Sequence, residues 1–449
     1  EDNRVRKLDY SIQLSKLFYE RFIQDQEISL FSPHDCPGLY ESFGTDQFDD
    51  LYTRYENDDS IPRTTVGGQE LILDLLKERA ETGRIYIMNI DHCNSHSSFK
   101  DKVSMSNLCQ EITLPTHPIS HIDDHLGEIA LCILSAVNVG KIRSDEELEE
   151  LCDLSVRALE ELIDYQDYPV LAAEQATKAR RSLGVGFIGL AHYLAKLGFD
   201  YDSQEAWDAV HGLSESFQYY LLKSSNQIAQ EKGYCENFGR TKYADGILPI
   251  DTYKKDVDEI CSQPLQHDWE SLRNAIATHG LRHSTLSAQM PSESSSVVSN
   301  ATNGIEPPRD YLSIKKSKKG PLKQVVPSYA TLKNNYTLLW DMPNNTGYIN
   351  IVAVMQKYFD QAISGNWSYN PEHYPDNEVP VSVMANDLLT TYKLGWKTSY
   401  YQNTHDQKSD EMEPAHPMGW KDDVEEDKVS TLMSELENAN EEECESCAI

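Results

Sequence analysis

An amide, a thiol and a carboxylate alternate in one short segment, at Asn107, Cys109 and Glu111. In an extended chain successive side chains point to opposite faces, so these three groups would converge on one face. We therefore predict a strand from Asn107 to Leu114 that presents a hydrogen-bonding amide, a thiol and a general base side by side. The alternative for this segment alone is an ordinary strand with a buried cysteine and two exposed polar residues.

Three further cysteines stand in informative surroundings. Cys132 lies in a nearly unbroken apolar run, Ile129 to Val139, typical of a strand buried on both faces, so by itself it indicates core packing. Cys444 and Cys447 form a C-x-x-C pair in an acidic stretch. We expect this stretch to have no folded structure for a disulfide to stabilise, and it lacks the second cysteine pair that a zinc site would need. A dithiol that carries electrons fits this pair best, although the neighbouring acids favour protonated thiols.

Two segments carry hydroxyl groups with more than one interpretation. The segment Ser292, Glu293, Ser294 and Ser295 has the residues expected where a loop enters a helix, so its backbone N–H groups could hold a phosphate; an ordinary helix cap is the commoner alternative. The adjacent Tyr400 and Tyr401 would normally form a strand pair with one ring buried and one exposed.

Two other patterns lack the surrounding residues that their functional interpretations require. The G-x-G-x-x-G match from Gly184 to Gly189 follows a basic run instead of an apolar strand, so a dinucleotide site is not predicted and close packing of a helix explains the glycines better. His92, Cys93 and His96 could suggest metal ligands, but a fourth ligand is not identifiable. We predict no metal site in this chain.

The elements that must position these residues alternate between helices and strands, which predicts an α/β fold. Breakers near residue 245 predict a domain boundary, and the composition turns acidic and polar after Thr404, which predicts a disordered tail. The predicted domains are 1–245, 246–405 and 406–449. The predicted elements are helices at Gly68–Leu76, Glu146–Tyr165, Ser182–Leu197 and Leu213–Lys232, and a strand at Arg84–Ile90.

Bulk composition excludes several classes of protein. The 449 residues include nine irregularly spaced cysteines, which does not fit a secreted disulfide scaffold. The formal charge of -33 argues against binding to a nucleic-acid backbone. Neither a signal peptide nor an apolar run of about 18 residues is present, so we expect a cytoplasmic protein that does not enter the membrane.

Taken together, these motifs resemble the large subunit of the aerobic class I ribonucleotide reductases, and they follow the same order along the chain. The resemblance rests on Asn107-x-Cys109-x-Glu111, Cys132, the Pro291–Ser296 loop with Asn300–Arg309, Tyr400–Asn403 and the terminal cysteine pair. It implies the second half of a ten-stranded α/β barrel of two five-stranded halves, with a finger loop that carries Cys109. A C-terminal α+β domain and a disordered acidic tail would follow.

The resemblance also implies roles for the residues named above. Cys109 would become a thiyl radical that abstracts the 3' hydrogen of a ribonucleoside diphosphate, with Glu111 as general base and Asn107 bound to the sugar hydroxyls. Cys132 would be one of two reducing thiols. Ser292, Glu293, Ser294 and Ser295 would bind the diphosphate, Tyr400 and Tyr401 would transfer the radical, and Cys444 and Cys447 would re-reduce the active-site disulfide.

The partners follow from the same resemblance. Because the sequence opens at Glu1 without a methionine, we expect that it begins within a domain. An N-terminal portion that carries the second reducing thiol would then lie outside this chain. A small subunit with a dinuclear metal centre and a tyrosyl-type radical, and thioredoxin or glutaredoxin, would complete the enzyme. The alternatives are a non-catalytic scaffold fragment of the same complex and a glycyl-radical enzyme, which would need a glycine-radical loop near the C-terminus.

Overall fold

The computed structural model describes the backbone of residues 8–317 and 320–405, and their side chains outside 314–322. Helices and strands alternate along the chain, with short 3₁₀ turns between them. The strands are β1 (Tyr10–Leu14), β2 (Glu27–Phe31), β3 (Arg63–Gly67), β4 (Ile85–Asn89), β5 (Ile133–Asn138), β6 (Leu183–Ile188), β7 (Leu312–Ser317), β8 (Gly320–Val325), β9 (Trp367–Tyr369), β10 (Thr398–Ser399) and β11 (Gln402–Thr404). The helices are α1 (Lys16–Ile23), α2 (Leu39–Ser42), α3 (Phe48–Glu56), α4 (Gly68–Thr82), α5 (Ile90–Ser95), α6 (Asp145–Tyr165), α7 (Leu171–Arg180), α8 (Leu190–Leu197), α9 (Gln204–Lys232), α10 (Pro249–Thr252), α11 (Trp269–His279), α12 (Glu293–Val298), α13 (Tyr329–Leu332), α14 (Thr346–Gln356) and α15 (Val381–Lys393).

Seven extended segments are hydrogen-bonded side by side into one band. Its order is β5, β6, residues 285–289, residues 361–369, residues 398–404, β4 and β1. The first five segments run parallel to one another, whereas β4 is antiparallel to β10 and parallel to β1. Within the described residues the band does not close into a cylinder, because β1 and β5 each pair on one side only.

The helices follow from capping and apolar spacing. At the start of α6 the side chain of Ser144 accepts a hydrogen bond from the N–H of Glu147. Acidic residues fill the first turn, where their negative charges interact favourably with the positive end of the helix dipole. Its buried residues recur every three or four positions and form one stripe: Leu148, Cys152, Val156, Leu159 and Ile163. The structure confirms the predicted helices at α4 and α6 and the predicted strand at β4. It also confirms the predicted helix at α9, which begins earlier than predicted, at Gln204.

One predicted helix is wrong in its first half. Residues 183–188 form strand β6, paired in parallel with β5, and only Leu190–Leu197 is helical. The glycines are needed because neighbours approach the strand closely: a Cβ at Gly186 would lie 2.6 Å from the carbonyl oxygen of Ala288. Gly189 has a φ of +80°, which glycine adopts without strain, and it ends the strand before α8.

The main apolar cluster draws on both sides of residue 245, from Leu14 and Phe187 to Phe359 and Trp396. A division into domains at that residue stays a prediction. No helix in the described ranges combines the length and the apolar character needed to span a membrane.

Candidate active site

The segment that carries Cys109 is a loop with a tight turn, so the predicted strand at Asn107–Leu114 is wrong. Gln110 has a φ of +73° and its N–H donates to the carbonyl of Asn107 at 3.2 Å. The Asn107 side-chain oxygen accepts the N–H of Ile112 at 3.0 Å. This local hydrogen bond competes with strand pairing, and the left-handed residue breaks the period of two.

The turn nevertheless brings the three predicted groups together, and Ser364 fastens them to the band. The Ser364 Oγ donates to the carbonyl of Cys109 at 2.5 Å and lies 3.2 Å from Glu111 Oε2. The N–H of Ala362 donates to the carbonyl of Glu111 at 3.0 Å. Sequence reasoning missed Ser364, because nothing local in the sequence places a residue some 250 positions away beside this loop.

Glu111 is buried among these groups, and its environment shifts the pKa of its carboxyl in two opposite directions. Burial raises the pKa of the carboxyl, while hydrogen bonds from Asn107 and Ser364 lower it. A carboxyl with a raised pKa gives up its proton less readily but accepts one more readily, which suits a general base. Asn107 therefore lies close enough to Glu111 to influence its pKa, as the prediction of convergence requires.

Tyr400 connects the thiol to the protein surface. Its Oη donates to Cys109 Sγ at 3.5 Å, and its ring lies 4.0 Å, centroid to centroid, from that of Tyr401. Tyr400 is 4% exposed and Tyr401 36% exposed, which confirms the predicted pattern of one buried and one exposed ring. Burial raises the pKa of Tyr400 and of Cys109, so both groups keep their protons at neutral pH.

A third tyrosine completes this aromatic cluster. The ring of Tyr86, on β4, lies 4.7 Å from that of Tyr400 and 5.6 Å from that of Tyr401. Sequence reasoning gave Tyr86 no role, because its place beside the pair depends on the antiparallel pairing of β4 with β10.

Cys132 precedes β5 instead of lying within a strand buried on both faces. The surrounding run is partly open, with Leu131 38% and Leu134 42% exposed, so that part of the prediction is wrong. Gln361 Nε2 lies 3.7 Å from Cys132 Sγ. Burial raises the pKa of Cys132, and the nearby charge of Glu111 raises it further, as it does for Cys109. Glu111 thus acts electrostatically on both thiols.

The Ser292 segment enters helix α12 as predicted. Ser292 is buried and its Oγ donates to the carbonyl of Met290 at 3.2 Å, which leaves the first turn uncapped by that hydroxyl. Upstream of this segment, the carbonyl of Gln289 accepts the N–H of Ser364 at 3.0 Å. Ser364 therefore binds both the Cys109 loop and the chain that leads into the predicted phosphate-binding segment.

The remaining candidates lie elsewhere. Both ring nitrogens of His96 already have partners, the Thr252 hydroxyl at 2.8 Å and the Gln356 carbonyl at 2.7 Å. In the described part of the chain, no three His, Cys, Asp or Glu residues are grouped as metal ligands would be. Cys444 and Cys447 lie outside the described residues.

Comparison with known proteins places this geometry in a family. The family model described as "Ribonucleotide reductase, barrel domain" matches residues 1–402. The chain belongs to the ribonucleotide reductase family. Its α/β architecture is that of the family's barrel domain.

Several relatives of known name cover most of the chain. The "Ribonucleoside-diphosphate reductase subunit alpha" of Haemophilus influenzae is 58% identical over 418 residues, which is 92% of this chain and 55% of the relative. The "Ribonucleoside-diphosphate reductase 1 subunit alpha" of Escherichia coli is 54% identical over 93% of the chain and 56% of the relative, and the alpha subunit of Enterobacteria phage T4 is 42% identical over 90% and 54%. The chain thus spans about half the length of the curated relatives it matches.

Proposed function

We propose that this chain is the C-terminal, catalytic part of the large subunit of a ribonucleoside-diphosphate reductase. The observation that carries the proposal is the approach of Tyr400 Oη to Cys109 Sγ beside Glu111, at the inner end of a tyrosine pair that reaches the surface. A protonated thiol next to a redox-active phenol, with a buried base, is what radical abstraction from a sugar requires.

In the proposed reaction the Cys109 thiyl radical removes the 3' hydrogen atom of the bound nucleotide, so an S–H bond forms and a C–H bond breaks. Glu111 takes the proton of the 3'-hydroxyl, held in place by Asn107 and Ser364. Loss of the 2'-hydroxyl as water then needs two electrons and two protons. Cys132 and a second thiol outside this chain supply them, and the pair becomes a disulfide.

The substrate diphosphate is assigned to the segment Ser292, Glu293, Ser294 and Ser295. Support comes from its position at the start of α12 and from Ser364, which binds the Cys109 loop and the carbonyl of Gln289, three residues before Ser292. Tyr400 and Tyr401 are assigned to radical transfer from a small subunit. That subunit's dinuclear metal centre and tyrosyl-type radical would supply the initial oxidation, and thioredoxin or glutaredoxin would restore the dithiol through Cys444 and Cys447.

The seven-segment band suggests how the chain fits the whole enzyme. We assign its five parallel segments to one half of the ten-stranded barrel, and β1 and β4, which run the other way, to part of the other half. The N-terminal portion would pair with the open edges of β1 and β5 and cover the exposed Leu131 and Leu134.

We retain 1–245, 246–405 and 406–449 as the proposed domains. The seven described cysteines are free thiols, as a reducing cytoplasm would keep them.

The test is reduction of a ribonucleoside diphosphate by the chain, the N-terminal portion and the small subunit, with the deoxynucleotide quantified by chromatography. We expect turnover from all three together and none when the N-terminal portion is omitted. Cys109→Ser should abolish turnover, while Cys36→Ser, in a separate small apolar cluster, should not. Full turnover by Cys109→Ser, or turnover without the N-terminal portion, would contradict the proposal. A complex that assembles but never turns over would favour the scaffold alternative.

A further inference from the structure

Arg79 is a fully buried cation that contacts the backbone of the tyrosine cluster. It lies near the end of α4 and none of its surface is exposed. Its Nη1 donates to the carbonyl of Tyr400 at 2.8 Å, and its Nη2 donates to the carbonyl of Tyr401 at 3.3 Å. Nη1 also donates to the carbonyl of Ile85, in the peptide bond that leads into Tyr86. One guanidinium therefore holds a peptide group next to each of the three rings.

The charge of Arg79 has no acidic partner among the described residues. Its side chain lies under the ring of Trp367, with 4.7 Å from Cζ to the ring centroid. Burial lowers its pKa to about 10, so the group is still a cation at neutral pH. Arg181, which is also buried, shows the usual arrangement: it pairs with Glu160 and Asp164, each at 2.7 Å. A neutral donor could satisfy the carbonyls that Arg79 binds without burying a charge, so the charge itself calls for an explanation.

We propose that Arg79 is a positioning residue for radical transfer, which fixes the three tyrosines and, through its charge, couples electron to proton movement along them. This inference rests on the function proposed above. In the last step Tyr400, as a neutral phenoxyl radical, takes the hydrogen atom of Cys109: the S–H bond breaks, the O–H bond of Tyr400 re-forms, and the thiol is oxidised as the tyrosine is reduced. The oxidant at the start of the relay is the radical of the small subunit.

The charge matters because a buried cation disfavours a second positive charge nearby. A tyrosine that lost its electron before its proton would become a radical cation, which carries such a second positive charge. Arg79 raises the energy of that state while leaving the neutral radical almost unaffected. The hydroxyl–sulfur contact of 3.5 Å supplies the short path that a proton moving with the electron needs, and Arg79 holds the backbone that sets it.

The experiment uses the assembled enzyme with Arg79→Lys and Arg79→Gln, and Arg181→Gln as a control for the loss of a buried arginine. Substrate binding and thermal melting are measured beside turnover. We expect Arg79→Lys to keep most turnover at about pH 7, and Arg79→Gln to lose about 100-fold while still binding substrate, because only the lysine keeps the charge. Arg181→Gln should lower melting more than turnover.

The pH profile of Arg79→Lys isolates the charge. A lysine buried here will have a depressed pKa, so its turnover should fall about ten-fold as the pH rises toward 9 and the ammonium loses its proton, whereas wild-type Arg79 stays charged. Its melting temperature should not fall over that range, because a neutral amine is easier to bury. This test stands even if Arg79→Gln does not fold.

An alkaline profile of Arg79→Lys equal to wild type would overturn the inference, as would turnover of a folded Arg79→Gln close to wild type. A loss in Arg79→Gln that only tracks its melting, as in Arg181→Gln, would also do so. Cys109→Ser run in parallel separates the two proposals. If it is active, the proposed function fails; if it is inactive while the Arg79 variants behave as wild type, only the role of Arg79 fails.

Discussion

The hydroxyl of Tyr400 lies 3.5 Å from the sulfur of Cys109, although the two residues are separated by 291 positions in the sequence. The contact exists because the 398–404 segment and the Cys109 loop are both held by residues 361–365: the N–H of Tyr400 donates to the carbonyl of Gly365, and Ser364 binds the loop. A redox path from the surface to the half-buried thiol therefore depends on one short extended segment.

Replacing either tyrosine of the pair with phenylalanine should stop turnover without unfolding the protein. Phenylalanine keeps the ring volume and removes the oxidisable O–H, so stability should change by about 1 kcal/mol or less. Turnover of the assembled enzyme should fall to background for Tyr400→Phe and Tyr401→Phe, with nucleotide binding retained. Tyr19→Phe is the matched control, since Tyr19 stacks on Tyr392 at 3.9 Å in a different part of the core. Substantial turnover by either variant would return the pair to a packing role.

Ser364→Ala should move the acidic limb of the pH profile to higher pH. The hydroxyl contact lowers the pKa of Glu111, so its loss leaves burial less opposed and raises that pKa further. At any pH on the limb a smaller fraction of Glu111 is then ionised, and turnover there should fall about five-fold while the plateau at higher pH changes less. Ser364→Thr keeps the hydroxyl and should restore the wild-type limb. An unshifted limb in Ser364→Ala would show that the contact does not tune the base.

Local patterns in the sequence identified residue types well and their geometry less well. The period-two spacing indicated Asn107, Cys109 and Glu111, and Asn107 does lie near enough to Glu111 to lower the pKa of its carboxyl. The two residues approach through a turn, in which Gln110 has a φ of +73°. That conformation depends on tertiary contacts of the loop, which no propensity of Gln110 announces. The helix α6 could be predicted because its cap and its apolar stripe are both local.

Residues that enter the site from distant segments could not be predicted. Ser364, Tyr86 and Arg79 reach the cluster through pairing between segments far apart in the chain. Similarly, the glycines of β6 looked like helix-packing glycines, because their purpose, the close approach of β5 and of residues 285–289, appears only once the strands are aligned. Hydrophobic periodicity reports on one element at a time and is silent on which elements are neighbours.

Gly184→Ala should damage the Cys132 site. An added Cβ would lie 2.8 Å from Cys132 Sγ and 2.5 Å from Leu134 Cδ2, so the thiol, which Gln361 contacts, must shift. We expect a loss of about 1–3 kcal/mol in stability and about ten-fold in turnover, measured by denaturant melts and by product formation. Gly239→Ala is the control, since nothing lies within 4 Å of its added Cβ. A variant as active as the control would mean that the position of Cys132 is not critical.

The terminal cysteines should be needed for repeated turnover only. Cys444→Ser or Cys447→Ser should abolish multiple turnovers with a thioredoxin-type reductant, yet leave a single turnover and activity with a small dithiol that reaches the active site directly. The comparison of the two reductants is the measurement. Equal losses with both would contradict a shuttle role for the pair.

Lys397, just before the tyrosine pair, should contribute to stability in a pH-dependent way. Its buried Nζ donates to the carbonyls of Phe359, Asp360 and Gln361, at 3.3, 2.8 and 2.9 Å. Gln356 Nε2 also donates to the carbonyls of Phe359 and Gln361, so Lys397→Met would leave only the carbonyl of Asp360 without a donor among the described residues. We therefore expect a loss of about 1–3 kcal/mol in the free energy of unfolding. Because the carbonyl of Gln361 is one of the three, the Cys132 site should loosen as well.

The pH dependence of that loss has a definite sign. Burial lowers the pKa of Lys397 to about 7, so between that value and the ordinary lysine pKa of 10.5 the unfolded chain binds a proton that the folded chain does not. The contribution of Lys397 to the free energy of unfolding therefore increases as the pH rises through this window and is lost as the pH falls through about 7. Denaturant melts of wild type and Lys397→Met should diverge with rising pH, since every other titrating group cancels in the difference. A gap that stays constant would show that Lys397 remains a cation in the folded protein, held by its three carbonyls.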